Sequence, residues 1–290
     1  MYSLPKAAGV GLRTPHIQTI LEQKPAMPWF ELMLDNWLAK GGLDTHLLAA
    51  ICEQYPIAFH GVNLSLGSCD PIDYDYLAKV KHLLDITGAH CYSEHCSFSS
   101  IDGKHTPDLL PMPYTEEAAQ HISQKISDVQ TFLDRRILLE NVSCYIESAD
   151  NQMHESTFIA QVIQQADCDL LLDLNNVYVN SVNHSFNAQD YVNNLPLDKV
   201  KEIHLAGFET KQGFLLDCHN NLICAEVWQL FDDVIAKQGP IPTLIEWDND
   251  LPEWSTLVEE QQKAQGIIDL HAPSFLKTAV KEAGLIHVTS

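Results

Sequence analysis

Short runs of apolar, β-branched and aromatic residues recur along the chain. Each is followed by a longer stretch in which apolar residues lie three and four positions apart. The short runs are typical of strands and the longer stretches of helices. Successive runs are about 34 residues apart, close to the length of one strand and helix unit. We predict eight strands, at Ala8–Leu12, Trp29–Leu34, Ile57–Val62, His90–Glu94, Ile137–Asn141, Leu170–Leu174, Glu202–Ala206 and Thr243–Trp247.

Helix signals lie between these strands. Asp73 precedes a stretch in which Leu77, Val80 and Leu84 share one face, and an aspartate there can accept hydrogen bonds from the free backbone N–H groups of a first helical turn. Thr115 precedes two glutamates, which favour the start of a helix in the same way. Eight such units predict an α/β fold, a single TIM-like (β/α)8 barrel.

The whole chain of 290 residues is predicted to form this one domain. No stretch rich in proline, glycine or serine divides it, so no domain boundary is predicted. Residues 271–290 follow the eighth unit and are predicted to form a C-terminal extension, to which the sequence assigns no role.

Composition narrows the classes of function. Hydrophobic residues make up 46% of the chain, yet no apolar run reaches the roughly 18 residues of a membrane span. The net charge of -22 at pH 7 would repel nucleic acid, so neither nucleic acid nor a membrane is expected as a partner. No secretory signal opens the sequence, so a cytoplasmic location is expected. The 8 cysteines include no C-x-x-C pair, which argues against a zinc knuckle or a redox dithiol.

Acids and histidines lie where most of the predicted strands end. The carboxyl ends of barrel strands meet at one mouth, so these side chains should lie together. Burying several carboxylates and imidazoles in one mouth is costly unless bound cations offset the desolvation and the repulsion. Nitrogen and oxygen donors suit iron, manganese or zinc. The predicted metal ligands at strand ends are His60, His95, Glu140, Asp173, His204 and Glu246.

Strand periodicity decides between two adjacent candidates. Glu94 and His95 cannot both point into the barrel from a regular strand, and we choose His95. Asp217 and His219 lie two residues apart beyond the seventh strand, so both can face the same side of an extended loop as a further ligand pair or, equally, form an ordinary solvated turn.

Three polar residues near these strand ends are weaker candidates. Asn176 can contribute an amide oxygen to a metal or a hydrogen bond to a ligand, and Asn141 is a further candidate to orient a ligating histidine. His184 lies on a polar loop, where an exposed histidine needs no special role.

Ten short motifs occur in order between about residue 8 and about residue 270. Together they resemble the multinuclear non-haem iron-dependent oxidases, a bacterial family typified by the methanobactin-biosynthesis oxidase. The motifs are GVGLR (9–13), WFE (29–31), FHGVNLSLGS (59–68), SEHCSFSS (93–100), DLLPMPYTEEA (108–118), LLENVSCY (138–145), LLLDLNNVYVNS (170–181), EIHLAGF (202–208), LLDCH (215–219) and PTLIEWDND (242–250).

The resemblance implies a TIM-like barrel that holds two or three iron ions of mixed ferrous and ferric state. Such enzymes use dioxygen to modify a ribosomally synthesised precursor peptide, usually at cysteine, and commonly receive the peptide through a separate recognition protein. The strand-end set above would be the core iron ligands, with Glu140 as a bridge and Asp217, His219 and Asn176 as further metal positions. We predict that Glu140, Asp173 and His204 are catalytic.

The chain departs from the family pattern at two places. Phe208 replaces a common histidine, and Cys96, Ser97 and Phe98 follow S-E-H where an aliphatic residue and tryptophan are common. Both changes are expected to lie near the pocket and to affect substrate or product.

Two other functions remain open at this point. A divalent-metal hydrolase or isomerase of the xylose-isomerase and endonuclease type uses the same barrel with a similar donor set. A non-catalytic scaffold is the other alternative, but it gives no reason to concentrate ionisable groups at strand ends.

Overall fold

A closed barrel of eight parallel strands forms the centre of the computed structural model, which describes residues 4–38 and 41–282, with side chains as far as residue 273. The strands in chain order are β1 (Ala8–Gly11), β2 (Phe30–Met33), β3 (Ile57–His60), β4 (Cys91–His95), β5 (Ser97–Ile101), β6 (Lys104–Pro111), β7 (Leu138–Glu140), β8 (Asp169–Asp173), β9 (Val200–Leu205), β10 (Glu209–Lys211), β11 (Phe214–Leu216) and β12 (Thr243–Ile245). The order around the barrel is β1-β12-β9-β8-β7-β4-β3-β2.

Every predicted strand is present, and each end lies within two residues of the prediction. The predicted fold class is therefore confirmed. Two hairpins were not predicted. One pairs β5 with β6 and the other pairs β10 with β11, and both are antiparallel insertions after barrel strands.

Helices surround the barrel. They are α1 (Thr14–Gln23), α2 (Leu43–Cys52), α3 (Tyr74–Thr87), α4 (Glu116–Leu133), α5 (Glu155–Ala166), α6 (Leu174–His184), α7 (Ala188–Asn193), α8 (Ala225–Gln238) and α9 (Trp254–Glu282). Both predicted caps form: the Asp73 carboxylate accepts from two backbone N–H groups of α3, and the Thr115 hydroxyl accepts from the Ala118 N–H of α4. No helix in the described ranges is long and apolar enough to cross a membrane.

The predicted C-terminal extension does not begin as a separate element. Helix α9 starts at Trp254 and runs without a break past residue 271, with Pro273 inside it. Residues 283–290 of the predicted extension lie outside the described residues.

The barrel interior is apolar at one end and polar at the other. Leu4, Trp29, Ala58 and Leu244 form a small buried cluster apart from the large shell between strands and helices. Gly9 is required beside it, because a Cβ there would lie 2.6 Å from the indole of Trp29. This packing closes the amino-terminal end of the barrel and leaves the polar side chains to the carboxyl-terminal end.

Candidate metal centre

Register between parallel strands brings the predicted ligands together in pairs. His95 in β4 lies directly beside Glu140 in β7, and Asp173 in β8 lies directly beside His204 in β9. Glu246 follows β12, and its backbone N–H donates to the carbonyl of Leu205. The carboxyl ends of the strands therefore converge on one mouth, as the barrel geometry requires.

The first donor group consists of His60, His95 and Glu140. The two histidine Nε2 atoms are 3.1 Å apart, and each is 3.2 Å from Glu140 Oε2. Glu140 Oε2 is buried and has no hydrogen-bond partner despite these short distances. The three atoms therefore lie close enough together to bind one cation.

Two more donor groups are linked to the first through shared residues, the second directly and the third through the second. The second group consists of Glu140, Asp173 and His204, and the third of Asp173, His219 and Glu246. Within each group the donor atoms lie within 4.8 Å of one another. Glu140 thus belongs to the first and second groups, and Asp173 to the second and third. Each of these two carboxylates therefore lies within reach of the donor atoms of two groups.

The spacing of the first group fits a metal ion. Two atoms bound to one metal at about 2.1 Å and separated by about 90–109° lie about 3.0–3.4 Å apart. The observed edges of 3.1 and 3.2 Å fall within that range. Imidazole nitrogens with carboxylate oxygens are donors that iron, manganese and zinc accept.

Burial makes the anionic form of these acids costly. Burial raises the pKa of Glu140 well above its ordinary value, and repulsion from Asp173 adds to the shift. Burial likewise raises the pKa of Asp173 to about 7. Burial lowers the pKa of His95 to about 4, which keeps its imidazole neutral and able to bind a cation. A divalent cation would stabilise the carboxylate forms.

Arg13 and Asp248 complete the charge balance on one side of the mouth. An Arg13 guanidinium nitrogen, Nη2, lies 2.6 Å from Asp248 Oδ1 and 3.6 Å from Glu246 Oε1. Asp248 Oδ2 in turn lies 3.1 Å from His219 Nδ1. Although burial alone would raise the pKa of Glu246, His219 and His204 outweigh it and hold that pKa well below its ordinary value. Glu246 is therefore held in its anionic form.

The predicted pair Asp217 and His219 faces the same mouth. His219 Nε2 is 2.7 Å from Asp217 Oδ1, and the Asp217 carboxylate also accepts from Ser143 and Asn175. His219 has a φ of 46°, in the left-handed region that non-glycine residues seldom occupy. Strain of this kind persists where surrounding structure holds a side chain in a required position.

Asn176 and Asn141 act on Asp173 rather than on a histidine. The Asp173 Oδ1 atom caps α6 by accepting from the Asn176 N–H at 2.6 Å, which leaves its buried Oδ2 without a partner. Asn141 exchanges two hydrogen bonds with the Asp173 backbone, so the expectation that it orients a histidine is wrong. Asn176 Oδ1 is buried, unpartnered and borders the mouth, where it can serve as a further donor.

Glu94 and His184 lie away from the donor groups. Glu94 points to the opposite side of β4 from His95 and accepts from the Tyr92 hydroxyl at 2.6 Å. His184 contacts the Cys144 carbonyl at 2.8 Å and borders a separate cavity beside α5. A position at the end of α6 explains this, because the helix carries His184 away from the strand ends.

The two departures from the family pattern do not border the mouth. The Phe208 ring packs against the Tyr178 ring at a centroid distance of 5.5 Å. Cys96 is buried and its N–H donates to the Glu140 carbonyl. Neither residue lines the cavity above the donor groups, although Cys96 directly follows the donor His95 in the chain.

Sequence reasoning missed several polar residues beside the donor groups. Glu202 lies two residues before His204 and Asp248 two residues after Glu246, so the period-two rule applied above to Asp217 and His219 would have found both. The hydroxyl of Ser93, two residues before His95, forms a hydrogen bond of 2.7 Å with His60 Nδ1. Glu31, in the middle of β2, carried no comparable signal because no other candidate ligand lies on its strand.

A cavity of about 250 Å³ opens above the donor groups. Its walls combine apolar side chains with the donors other than Asp173 and His204, and two of its residues, Asp108 and Leu109, come from β6. At its rim the Tyr145 ring contacts the exposed Phe214 ring of β11 at 6.0 Å between centroids. The β5–β6 hairpin thus builds part of the cavity wall, and β11 supports that wall through its contact with Tyr145.

Gly61 lies beside the donor groups at a position where a side chain does not fit. A Cβ there would collide with the Glu94 carboxylate and lie 2.8 Å from the Tyr92 hydroxyl, and the Gly61 carbonyl is the partner of His95 Nδ1 at 3.1 Å. Gly61→Ala is expected to destabilise the protein by about 1–3 kcal/mol through overpacking and to lower metal retention. Thermal unfolding and metal content after desalting measure both effects.

Gly266→Ala supplies the matched control. A Cβ at Gly266 in α9 meets no atom within 4 Å, so alanine should leave metal content unchanged and add about 0.5–1 kcal/mol of helix stability. Equal stability and equal metal content in the two variants would show that Gly61 tolerates a side chain.

Comparison with known proteins places the chain in a family. The family described as RiPP precursor modification enzyme MbnB/TglH/ChrH matches residues 7–269. A UPF0276 protein of Acaryochloris marina is 46% identical over 92% of this chain and 97% of its own length, and a UPF0276 protein of Vibrio parahaemolyticus is 41% identical over 91% and 93%.

Solved structures of other enzymes share the barrel. Endonuclease IV of Thermus thermophilus matches with a TM-score of 0.58 and 13% identity over 89% of this chain and 98% of its own. D-Psicose 3-epimerase of Clostridium cellulolyticum matches with a TM-score of 0.58 and 11% identity over 91% and 98%. At such identities the likeness concerns the fold alone. The match to the family covers nearly the whole barrel with its donor groups, and the chain therefore belongs to the MbnB/TglH/ChrH family of RiPP precursor modification enzymes.

Proposed function

We propose that this chain is a multinuclear iron- and dioxygen-dependent oxidase that modifies a ribosomally synthesised precursor peptide at cysteine. The observation that carries the proposal is the sharing of Glu140 and Asp173 between neighbouring donor groups. A single cation would need only one such group. Three linked groups suit two or three ions held a few ångströms apart.

The residues of the chain have separable tasks in this proposal. The first group offers two neutral imidazoles and one carboxylate, while the second and third offer more carboxylates and so suit a more highly charged cation. Bound iron would supply dioxygen activation and the redox change. Arg13 offsets the negative charge of Glu246 and Asp248, and the apolar residues Met33, Val62 and Val142 limit water at the mouth.

The mouth suits a peptide rather than a bulky folded partner. Its cavity of about 250 Å³ admits one or two side chains, and exposed apolar residues at the rim can contact the flanking peptide. Dioxygen is the oxidant that accepts the electrons lost by the substrate cysteine. A cytoplasmic location suits this chemistry, because the cytosol keeps substrate thiols reduced.

Metal analysis tests the proposal directly. Protein purified anaerobically is expected to contain more than one iron per chain, and Mössbauer spectra of iron-57-enriched protein should show ferrous and ferric signals together. Oxygen uptake should follow addition of a cysteine-containing precursor peptide encoded near the gene, and the same peptide with serine in place of cysteine should give none. Stoichiometric zinc or manganese without oxygen uptake would instead favour the hydrolase or isomerase alternative.

We further propose that a separate recognition protein delivers the precursor peptide. Support for it comes from the family resemblance alone. A pull-down with the product of a neighbouring gene should recover a complex. Failure to recover one, together with full activity on free peptide, would remove this partner.

A further inference from the structure

Glu31 is a buried acid of the barrel interior that lies outside the three donor groups described above, although it forms a fourth group with His204 and Glu246. It lies in β2 within the Trp29-Phe30-Glu31 motif, and its side chain has no solvent exposure. Glu31 Oε2 lies 3.3 Å from His204 Nε2, while Oε1 has no hydrogen-bond partner. Because Phe30 packs in the outer shell, strand alternation turns Glu31 into the barrel beneath the second donor group.

The three histidines at strand ends are held in two different ways. His60 and His95 direct Nε2 into the first group, and their Nδ1 atoms contact the Ser93 hydroxyl and the Gly61 carbonyl. His204 is turned the other way. Its Nδ1 lies 3.0 Å from Glu246 Oε2 and 3.8 Å from Glu140 Oε1, so Nδ1 faces the donors and Nε2 faces Glu31.

From this geometry we propose that Glu31 is the positioning residue of His204. It accepts the hydrogen bond from Nε2–H, and so keeps the Nδ1 lone pair directed at the second group. A ligating imidazole usually donates its second N–H to a carboxylate or carbonyl, which fixes the tautomer and strengthens the ligand. His204 therefore binds through Nδ1, unlike His60 and His95.

A second acid, Glu202, lies on the same side of His204 but is less well placed. Its Oε1 is 3.7 Å from His204 Nε2, and its Oε2 accepts from the Cys91 thiol at 3.1 Å. The contact with Cys91, the first residue of β4, holds Glu202 toward the amino-terminal end of the barrel. Glu31 makes the shorter contact and is the better placed acceptor for the imidazole.

The inference rests on the metal centre of the proposed function and is tested by metal binding, independently of oxygen chemistry. Glu31→Gln keeps the shape of the side chain but removes its charge. With ferrous iron alone added under anaerobic conditions, we expect its dissociation constant to rise by about 10- to 100-fold, the usual effect of losing an outer carboxylate partner. The Mössbauer signal of one iron should change while the signal of the first group is retained.

Glu155→Gln is the matched control. Glu155 is a buried acid in α5 that contacts Asn180 and no donor residue, so the variant should bind iron as the unsubstituted protein does. If Glu31→Gln matches Glu155→Gln in affinity and spectrum, the positioning role is refuted and the proposed function stands. If the unsubstituted protein retains no divalent ion, both the positioning role and the proposed function are refuted.

A crystal structure of the unsubstituted protein loaded with ferrous iron gives a second test that does not depend on a variant folding. Coordination of His204 through Nδ1, with Glu31 on Nε2, would support the inference. Coordination through Nε2, or Glu31 itself bound to iron as the group Glu31, His204 and Glu246 would allow, would overturn it.

Discussion

Glu140→Gln is expected to abolish turnover and to remove most of the bound metal. Its Oε2 lies 3.2 Å from both histidines of the first group, and its Oε1 faces His204 in the second. Glutamine has the same shape but cannot supply two anionic oxygens, so both groups lose a donor at once. Turnover should fall by more than the roughly 10- to 100-fold seen when a merely supporting residue is lost. Metal content by mass spectrometry and oxygen uptake with peptide measure the effect.

The same change at a buried acid outside the site controls for damage to the fold. Glu155→Gln should keep both metal and turnover, because Glu155 lies among α5 and α6 residues away from the mouth. Full iron content and full activity in Glu140→Gln would refute its assignment as a bridging ligand.

Metal loading is expected to stabilise the protein strongly at pH 8 and weakly at pH 5.5. A metal present at about 100 times its dissociation constant adds about 2.7 kcal/mol, or a rise in melting temperature of about 5 °C for a chain of this size. The dependence on pH follows from the buried acids, whose protons a metal must displace. Differential scanning fluorimetry with and without ferrous or manganous ion measures it under anaerobic conditions.

The sign can be followed at Asp173. Its pKa is about 7 in the metal-free folded protein, because burial raises it from the ordinary value of 3.8. The stability that this acid contributes without metal is fully present below about pH 4 and is lost as the pH rises through 7. A bound metal ion stabilises the deprotonated carboxylate and so offsets this loss of stability. The stabilisation by metal therefore increases with pH. Glu140→Gln should show little stabilisation at either pH, and an equal rise at both pH values in the unsubstituted protein would contradict the explanation.

Strand ends were the most informative part of the sequence. His60, Glu140 and Asp173 could be selected from local pattern alone because each ends a short apolar run, and parallel strands of a barrel must converge at their carboxyl ends. The choice of His95 over Glu94 needed only the alternation of side chains along a strand, and the fold turns Glu94 to the Tyr92 hydroxyl instead.

Contacts between residues far apart in the sequence could not be predicted from local patterns. Arg13 reaches Asp248 across 235 positions, and Glu31 reaches His204 across 173. Both residues end family motifs, but the local pattern of hydrophobic and polar positions does not pair either of them with its distant partner. His184 is the opposite case. It lies in the same chain segment as Asp173, but helix α6 places it far from the strand ends.

The sequence by itself determined the number and order of the barrel strands and the residues at their ends, because hydrophobic periodicity is local and barrel closure follows from it. It also carried the family, through ten ordered motifs. Only the tertiary structure decided which candidate donors lie together, which nitrogen of each histidine faces the others, and which hairpin residues line the cavity. Those features depend on strand register and on contacts between distant residues, which no local pattern encodes.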